Sequence, residues 1–201
     1  MIKESYNLVY GVGVKGMKYP AKRDKKHLTE YKVWASMLMR CYSKSTVVRK
    51  PCYEDCTVSD NFKSYVYFYE WCNNQAGFNE KDENGRVWQL DKDLLIKRNK
   101  VYSEDTCLFI PKEINTVLLA RERDRSPTGI GNFYDGSAYV VQCSTKGKQR
   151  VLGRFKTQQE ALMAYKTFKE WYIKTIAEKW KGIVDDRVYQ TLINYEVNIN
   201  D

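Results

Sequence analysis

The sequence predicts an α+β fold: an N-terminal helical and ββα-finger-like module, followed by a C-terminal three-stranded antiparallel sheet packed on a long helix. Three observations carry this expectation. Apolar and aromatic residues recur at helical spacing in two segments between Thr29 and Asn74. A strand–loop–strand–helix order runs from Trp88 to Arg123. Three strand-length segments between Thr128 and Phe155, joined by short turn-forming breaks, run straight into a capping-box sequence and a long amphipathic stretch.

The elements follow in chain order. Residues 1–28 read as a glycine-rich loop and basic arm. GVGVKG at Gly11–Gly16 has dinucleotide-loop spacing, but MKYPAKRDKK follows it where a phosphate-binding helix is required, so that reading fails. In TEYKVWASMLMRC, capped by Thr29, the residues Tyr31, Trp34, Met37, Leu38 and Cys41 form one stripe. YEDCTV at Tyr53–Val58 reads as a short strand, and Ser59 as the cap of a helix with Phe62, Tyr65, Tyr69 and Cys72 on its buried face. Trp88–Leu95 and Cys107–Pro111 are the strands of the next unit. The helix KEINTVLLARER follows, with Pro111 at its start. This module spans 29–120, and the charged stretch 121–127 is the expected linker.

The last domain, 128–181, holds TGIGNFY, SAYVVQCS and KQRVLGRF, separated by Asp135–Gly136 and Thr145–Lys146–Gly147. Thr157 and Glu160 bracket the start of a helix whose Ala161, Tyr165, Phe168, Tyr172 and Ile176 face the sheet. An acidic helix within 182–201 is expected to pack back on the body.

Charge is large and uneven. The 201 residues carry a net charge of +9. Residues 1–58 hold twelve Lys/Arg against five Asp/Glu, and 120–181 hold thirteen against six, whereas 59–119 hold eight against ten. Two positive regions around a slightly acidic middle favour a polyanionic partner, through release of its counterions. The opening MIKESYNLVYGVGVKG lacks the apolar run of a secretory leader, and no stretch is long enough to span a bilayer, so a cytoplasmic location with no membrane partner is expected. The six cysteines form no CxxC and read as reduced, packed thiols. A zinc site from Cys41, Cys52, Cys56 and the single histidine, His27, would need an irregular spacing.

Period-two alternation in SAYVVQC puts Tyr139, Val141 and Cys143 on the helix side and Val140 and Gln142 on the outer side. Gln149 and Val151 of the third strand share that outer face, with Arg154 nearby. Glutamine can pair with adenine and valine can meet a thymine methyl, while Lys146, Lys148, Arg150 and Arg154 can take phosphates. Arg121, Arg123 and Arg125 of the linker and Asn132 of the first strand complete the candidate set for double-stranded DNA.

A resemblance supports this. Gly129-Ile130, SAYVVQCSTKGKQRVLGRF and TQQEALMAYKTF resemble the plant ethylene-response-factor (APETALA-type) DNA-binding domain, whose relatives occur in phage homing endonucleases. LGRF and EALMAY match its strand end and helix. Tyr139 stands where the family has Trp, and Val140 and Gln142 where it usually has arginines. Residues 31–115 resemble phage homing-endonuclease-like proteins, and LDKDLL with Asn99–Cys107 is similar to the metal finger of HNH nucleases.

The HNH resemblance implies Asp91, Lys92, Asp93 and Asn99 as a catalytic set, with Asp91 and Asp93 on Mg²⁺. No histidine stands in that motif, and His27 lies some sixty residues earlier. The base would have to be a carboxylate or Lys92, neither of which serves at its usual pKa, or the distant His27. The reading preferred here is a sequence-specific DNA-binding regulator or repressor, encoded by a phage or mobile element in a bacterial host, with no cleavage and no cofactor. The alternative is a Mg²⁺-dependent endonuclease or nickase. The sequence leaves open whether one chain or a homodimer engages the duplex.

Overall fold

The structure, a computed structural model, describes residues 8–118, 125–126 and 128–198, with backbone only at 125–126. The chain is α+β, and it divides into two compact units, Met1–Pro111 and Lys112–Asp201. The division precedes the helix at Lys112, so that helix groups with the second unit. Residues 119–120, at the end of the expected module, and 121–124 and 127 of the expected linker lie outside the described residues.

The first unit opens with the glycine loop, then the hairpin β1 (Lys22–Arg23) and β2 (Lys26–His27). Helix α1 (Thr29–Tyr42) follows, with Trp34, Met37 and Leu38 of its stripe fully buried. Thr29 is its first helical residue and not its cap; Leu28 holds the cap position without a side-chain bond. A short α2 (Lys44–Arg49) and a 3₁₀ turn lead to β3 (Thr57–Val58).

Ser59 does cap the next helix, accepting from the Phe62 amide at 3.3 Å. The single helix expected there is two, α3 (Asp60–Lys63) and α4 (Tyr65–Asn73), broken at Ser64. The cause is remote in sequence. The Val14 amide donates to the Lys63 carbonyl and the Tyr65 amide donates to the Val14 carbonyl, both at 2.9 Å. Those backbone groups cannot also serve an uninterrupted helix, and Ser64 re-caps the second piece by accepting from the Tyr67 amide at 3.3 Å. GVGVKG is therefore a packing loop: a side chain at Gly13 would overlap Leu38 and Trp34.

Two small pairings complete this unit. The strand expected at Trp88–Leu95 is only β4 (Gln89–Asp91), which turns away at Lys92. It pairs antiparallel with β6 (Leu108–Ile110), while β5 (Val101–Tyr102), from the intervening loop, runs parallel to β3. The buried middle is aromatic: Trp34, Phe62, Tyr65 and Phe68 are fully buried, and the Trp34 indole donates to the Phe62 carbonyl at 2.8 Å.

The second unit begins with α5 (Lys112–Leu118), followed by β7 (Arg125–Ser126) and β8 (Gly129–Ile130), which pair antiparallel. The three-stranded sheet consists of β9 (Asn132–Tyr134), β10 (Tyr139–Thr145) and β11 (Lys148–Phe155), with β10 in the centre. TGIGNFY thus forms two strands, divided at Gly131. Helix α6 (Gln158–Trp180) starts with the expected capping box: the Glu160 amide donates to Thr157 Oγ1 at 3.2 Å, and the Thr157 amide to Glu160 Oε2 at 3.1 Å. Ile130, Val141, Cys143, Ala161 and Tyr165 form the core between sheet and helix, and Val197 closes it. Helix α7 (Asp186–Ile193) buries Val188 and Leu192. At the far end of α6, Glu113 of α5 accepts from the Trp180 indole at 3.0 Å and from Lys179.

All six cysteines are free; Cys56, Cys72, Cys107 and Cys143 are buried and only Cys52 is exposed. No described helix is long and apolar enough to cross a membrane.

The division at Gly131 has a steric origin. Its φ of +69° suits glycine, and a Cβ there would overlap the Tyr165 ring. Gly131→Ala combines left-handed strain with core overpacking, so it should lower stability by about 3 kcal/mol in denaturant unfolding. A neutral result would show that β8 and β9 do not need this close approach to α6.

Candidate nucleic-acid interface

The outer face of the three-stranded sheet is set by register. Tyr139, Val141 and Cys143 point into the core against α6, so Val140, Gln142 and Ser144 lie on the other side. Along β11, strict alternation would put Arg154 on the face opposite Val151. A β-bulge prevents this. Val141 pairs with Gly153 but Gln142 pairs with Val151, leaving Leu152 as an extra residue. The outer face therefore carries Arg154, Val151 and Gln149 opposite Val140, Gln142 and Ser144, while Leu152 and Phe155 pack on the core. Gln149 Nε2 donates to Gln142 Oε1 at 3.0 Å. That bond fixes both amides and leaves the Gln142 amino group and the Gln149 carbonyl oxygen outside it.

Two expected members of the face are corrected. Val140 is 6% exposed, because it occupies the central strand directly opposite Phe133 and Arg154. It forms the floor of the face and is not a reading tip. Asn132 is 4% exposed and pairs with Val141 on the inner side. Its side-chain amide donates to the Ile130 carbonyl at 3.2 Å, and its backbone carbonyl accepts from the Thr128 hydroxyl at 3.2 Å. Asn132 braces the corner at Gly131. Val151, by contrast, is 63% exposed.

Phe133, 41% exposed on the outer side, was not among the residues read from the sequence. Alternation from Ile130 would have placed it outside, but the division at Gly131 hides the continuity of that alternation.

The flanking cations differ in availability. The β10–β11 turn has Lys146 at φ 48° and Gly147 at φ 77°, and it is pinned to α6 by the Lys146 amide donating to the Tyr172 hydroxyl at 3.0 Å. Lys146, Lys148 and Arg150 are exposed and have no ion-pair partner among the described residues, but Lys148 and Arg150 stand opposite Thr145 and Cys143, on the α6 side of the sheet and not on the outer face. Arg154 is engaged: it pairs with Asp135 and donates to Ser137 Oγ at 2.9 Å. The Asp135 carboxyl is held down at about 2, first by the amides of Ser137 and Ala138 and then by Ser137 Oγ and Arg154. Arg154 thus fastens the β9–β10 turn as well as bordering the face. Arg121, Arg123 and the side chain of Arg125 lie outside the described residues.

The four residues of the acidic turn do come together, but as a backbone clasp. Lys92 is 6% exposed; its ammonium donates to the Asn99 carbonyl at 2.7 Å and pairs with Asp93 Oδ2 at 3.2 Å. Asn99 answers by donating to the Lys92 carbonyl and the Val101 carbonyl, each at 2.7 Å, and its Oδ1 accepts from the Val101 amide at 3.1 Å. Asp91 Oδ1 accepts from the amides of Asp93 at 3.0 Å and Leu94 at 2.8 Å.

Each of these side chains is engaged within the chain: Asp93 Oδ2 faces the Lys92 ammonium, Asn99 serves three backbone groups, and Asp91 Oδ1 accepts two amides. Among the described residues no three His, Cys, Asp or Glu side chains group to hold a metal. Lys92 serves as a structural donor, and His27 stacks on Tyr31 with ring centroids 4.9 Å apart.

No family model, curated protein or solved structure matches this chain.

Burial, and next the neighbouring Asp93, push the Asp91 carboxyl above the usual carboxylate range. The charged form is therefore penalised in the folded state, and stability falls as pH rises from the unfolded carboxylate pKa through the folded one. Asp91→Asn keeps an oxygen for both amides and removes the charge. Its melting temperature should equal or exceed the parent's at neutral pH, with any gain vanishing in acid. A lower melting temperature at neutral pH, restored in neither acid nor high salt, would contradict the clasp.

Proposed function

We propose that this protein binds double-stranded DNA sequence-specifically through the outer face of its three-stranded sheet, and that it regulates transcription by occupying its site without cutting it. The observation that carries this reading is the outer row itself. Two hydrogen-bonded glutamines stand beside an exposed valine, with Lys146 in the adjoining turn. The amide groups outside the Gln142–Gln149 bond supply one donor and one acceptor, the pattern that reads the major-groove edge of adenine. Val151 and Phe133 supply apolar contact for a thymine methyl. Lys146 at the turn adds affinity without sequence information.

The absence of cleavage in this reading is supported by the clasp. Asp91, Lys92, Asp93 and Asn99 are engaged in holding a turn together. The resemblance to homing-endonuclease-like proteins then describes ancestry: a nuclease finger retained as a support. The setting consistent with it is the cytoplasm of a bacterial host carrying a phage or mobile element.

The test is selection of a preferred duplex from a randomised pool, followed by binding of variants. Gln142→Ala with Val151→Ala should cost about 2 kcal/mol of preference, roughly thirtyfold, while leaving the melting temperature near the parent's. Undiminished preference would place the reading surface elsewhere. Incubation of the selected duplex with Mg²⁺ or Mn²⁺ should leave it intact. Cleavage lost in both Asp91→Ala and Asp93→Ala would establish the endonuclease instead.

A further inference from the structure

The hairpin of β1 and β2 is a second strongly charged feature among the described residues. Every residue from Lys22 to His27 is exposed, and four of the six are Lys22, Arg23, Lys25 and Lys26, with Asp24 the one carboxylate. Register sets Arg23 directly across from Lys26, and Lys22 across from His27. Like charges facing each other across a strand pair repel. None of the four cations has an ion-pair partner among the described residues.

This is nevertheless a held structure. Asp24 and Lys25 take φ of 50° and 63°, the left-handed pair that closes a two-residue hairpin, with no glycine to ease it. The base is closed by the Leu28 amide donating to the Ala21 carbonyl at 3.0 Å. The approach is anchored on the helical core: the Tyr65 hydroxyl donates to the Pro20 carbonyl at 3.1 Å, and Tyr19 stacks on Tyr69 with centroids 3.9 Å apart. On the return side His27 lies against Tyr31. An isolated two-stranded hairpin is marginal in water. One that opposes its own charges needs these anchors, and an external anion would relieve the repulsion.

We infer that the Lys22–Lys26 hairpin is a second DNA contact, carried by the first unit, that takes the phosphodiester backbone of a B-form duplex. The class of ligand follows from shape and composition. A two-stranded ribbon is an element that the B-form major groove admits between its phosphates, whereas the A-form groove of duplex RNA is too narrow for it. The hairpin also lacks the stacking platforms that hold single strands, its one ring being against Tyr31. As a contact to phosphates and not to base edges, it confers affinity without sequence preference.

The experiment uses the full chain and a duplex of scrambled sequence over a salt series. Replacing Lys22, Arg23, Lys25 and Lys26 together by Gln should reduce the slope of log affinity against log salt by about 2 to 4, near 0.9 per lost phosphate contact. Affinity at low salt should fall at least tenfold, with the melting temperature kept. Lys22→Gln with Lys25→Gln should give about half the change in slope. Equal slope and affinity in parent and fourfold variant would overturn the inference, as would a loss seen on RNA duplex or anionic vesicles but not on DNA. The sheet reading fails separately: a hairpin variant that loses slope, beside a Gln142→Ala/Val151→Ala chain that keeps full sequence preference, upholds the hairpin and overturns the sheet. A parent that binds no duplex overturns both.

Discussion

One extra residue in β11 decides what the terminal sheet can present. An eight-residue strand beside β10 must turn Leu152 and Phe155 toward α6, and those two positions have opposite parity. A regular ladder could bury one of them only by exposing the other. The bulge at Leu152 resolves the conflict, and with it Gln149, Val151 and Arg154 fall on one side. The pairing of Gln149 with Gln142, and the reach of Arg154 to Asp135 and Ser137, both depend on that shift. So does the core, because the same step lets both Leu152 and Phe155 pack on it.

The features readable in the sequence were those with local causes. The capping box at Thr157 and Glu160, the Ser59 cap, the β10–β11 turn and the stripe Trp34–Met37–Leu38 each lie within a few residues, and their chemistry acts over that range. What escaped notice is non-local. The break at Ser64 is imposed by Val14, fifty residues away, and the parallel pairing of β3 with β5 joins segments more than forty apart. The burial of Val140 was hidden for a related reason. Its face was correctly placed, but exposure depends on which residues flank it, and only register shows Phe133 and Arg154 on either side. Asn132 looked like a polar surface residue until the corner at Gly131 turned it inward.

The turn at Asp91–Asn99 shows how little residue type alone decides. Two carboxylates, a lysine and an asparagine within nine positions suit either a metal centre or a closed loop. The difference lies in direction. Here Lys92 and Asn99 each donate to the other's backbone carbonyl and so close the loop. Removing either partner would leave a buried polar group unserved, a heavier loss than the bond's modest net contribution.

The distribution of the thiols has a practical consequence. Burial pushes the Cys41 and Cys107 thiols up to about 12, and it raises Cys56 and Cys72 as well, so these groups offer almost no thiolate at neutral pH. Cys52, on the 3₁₀ turn, is the exposed one. A maleimide dye applied to the folded chain therefore finds a single ready position, in the first unit and in neither the hairpin nor the sheet. The unaltered protein comes with its own site for a fluorescent reporter, without the cysteine replacements that such labelling ordinarily requires.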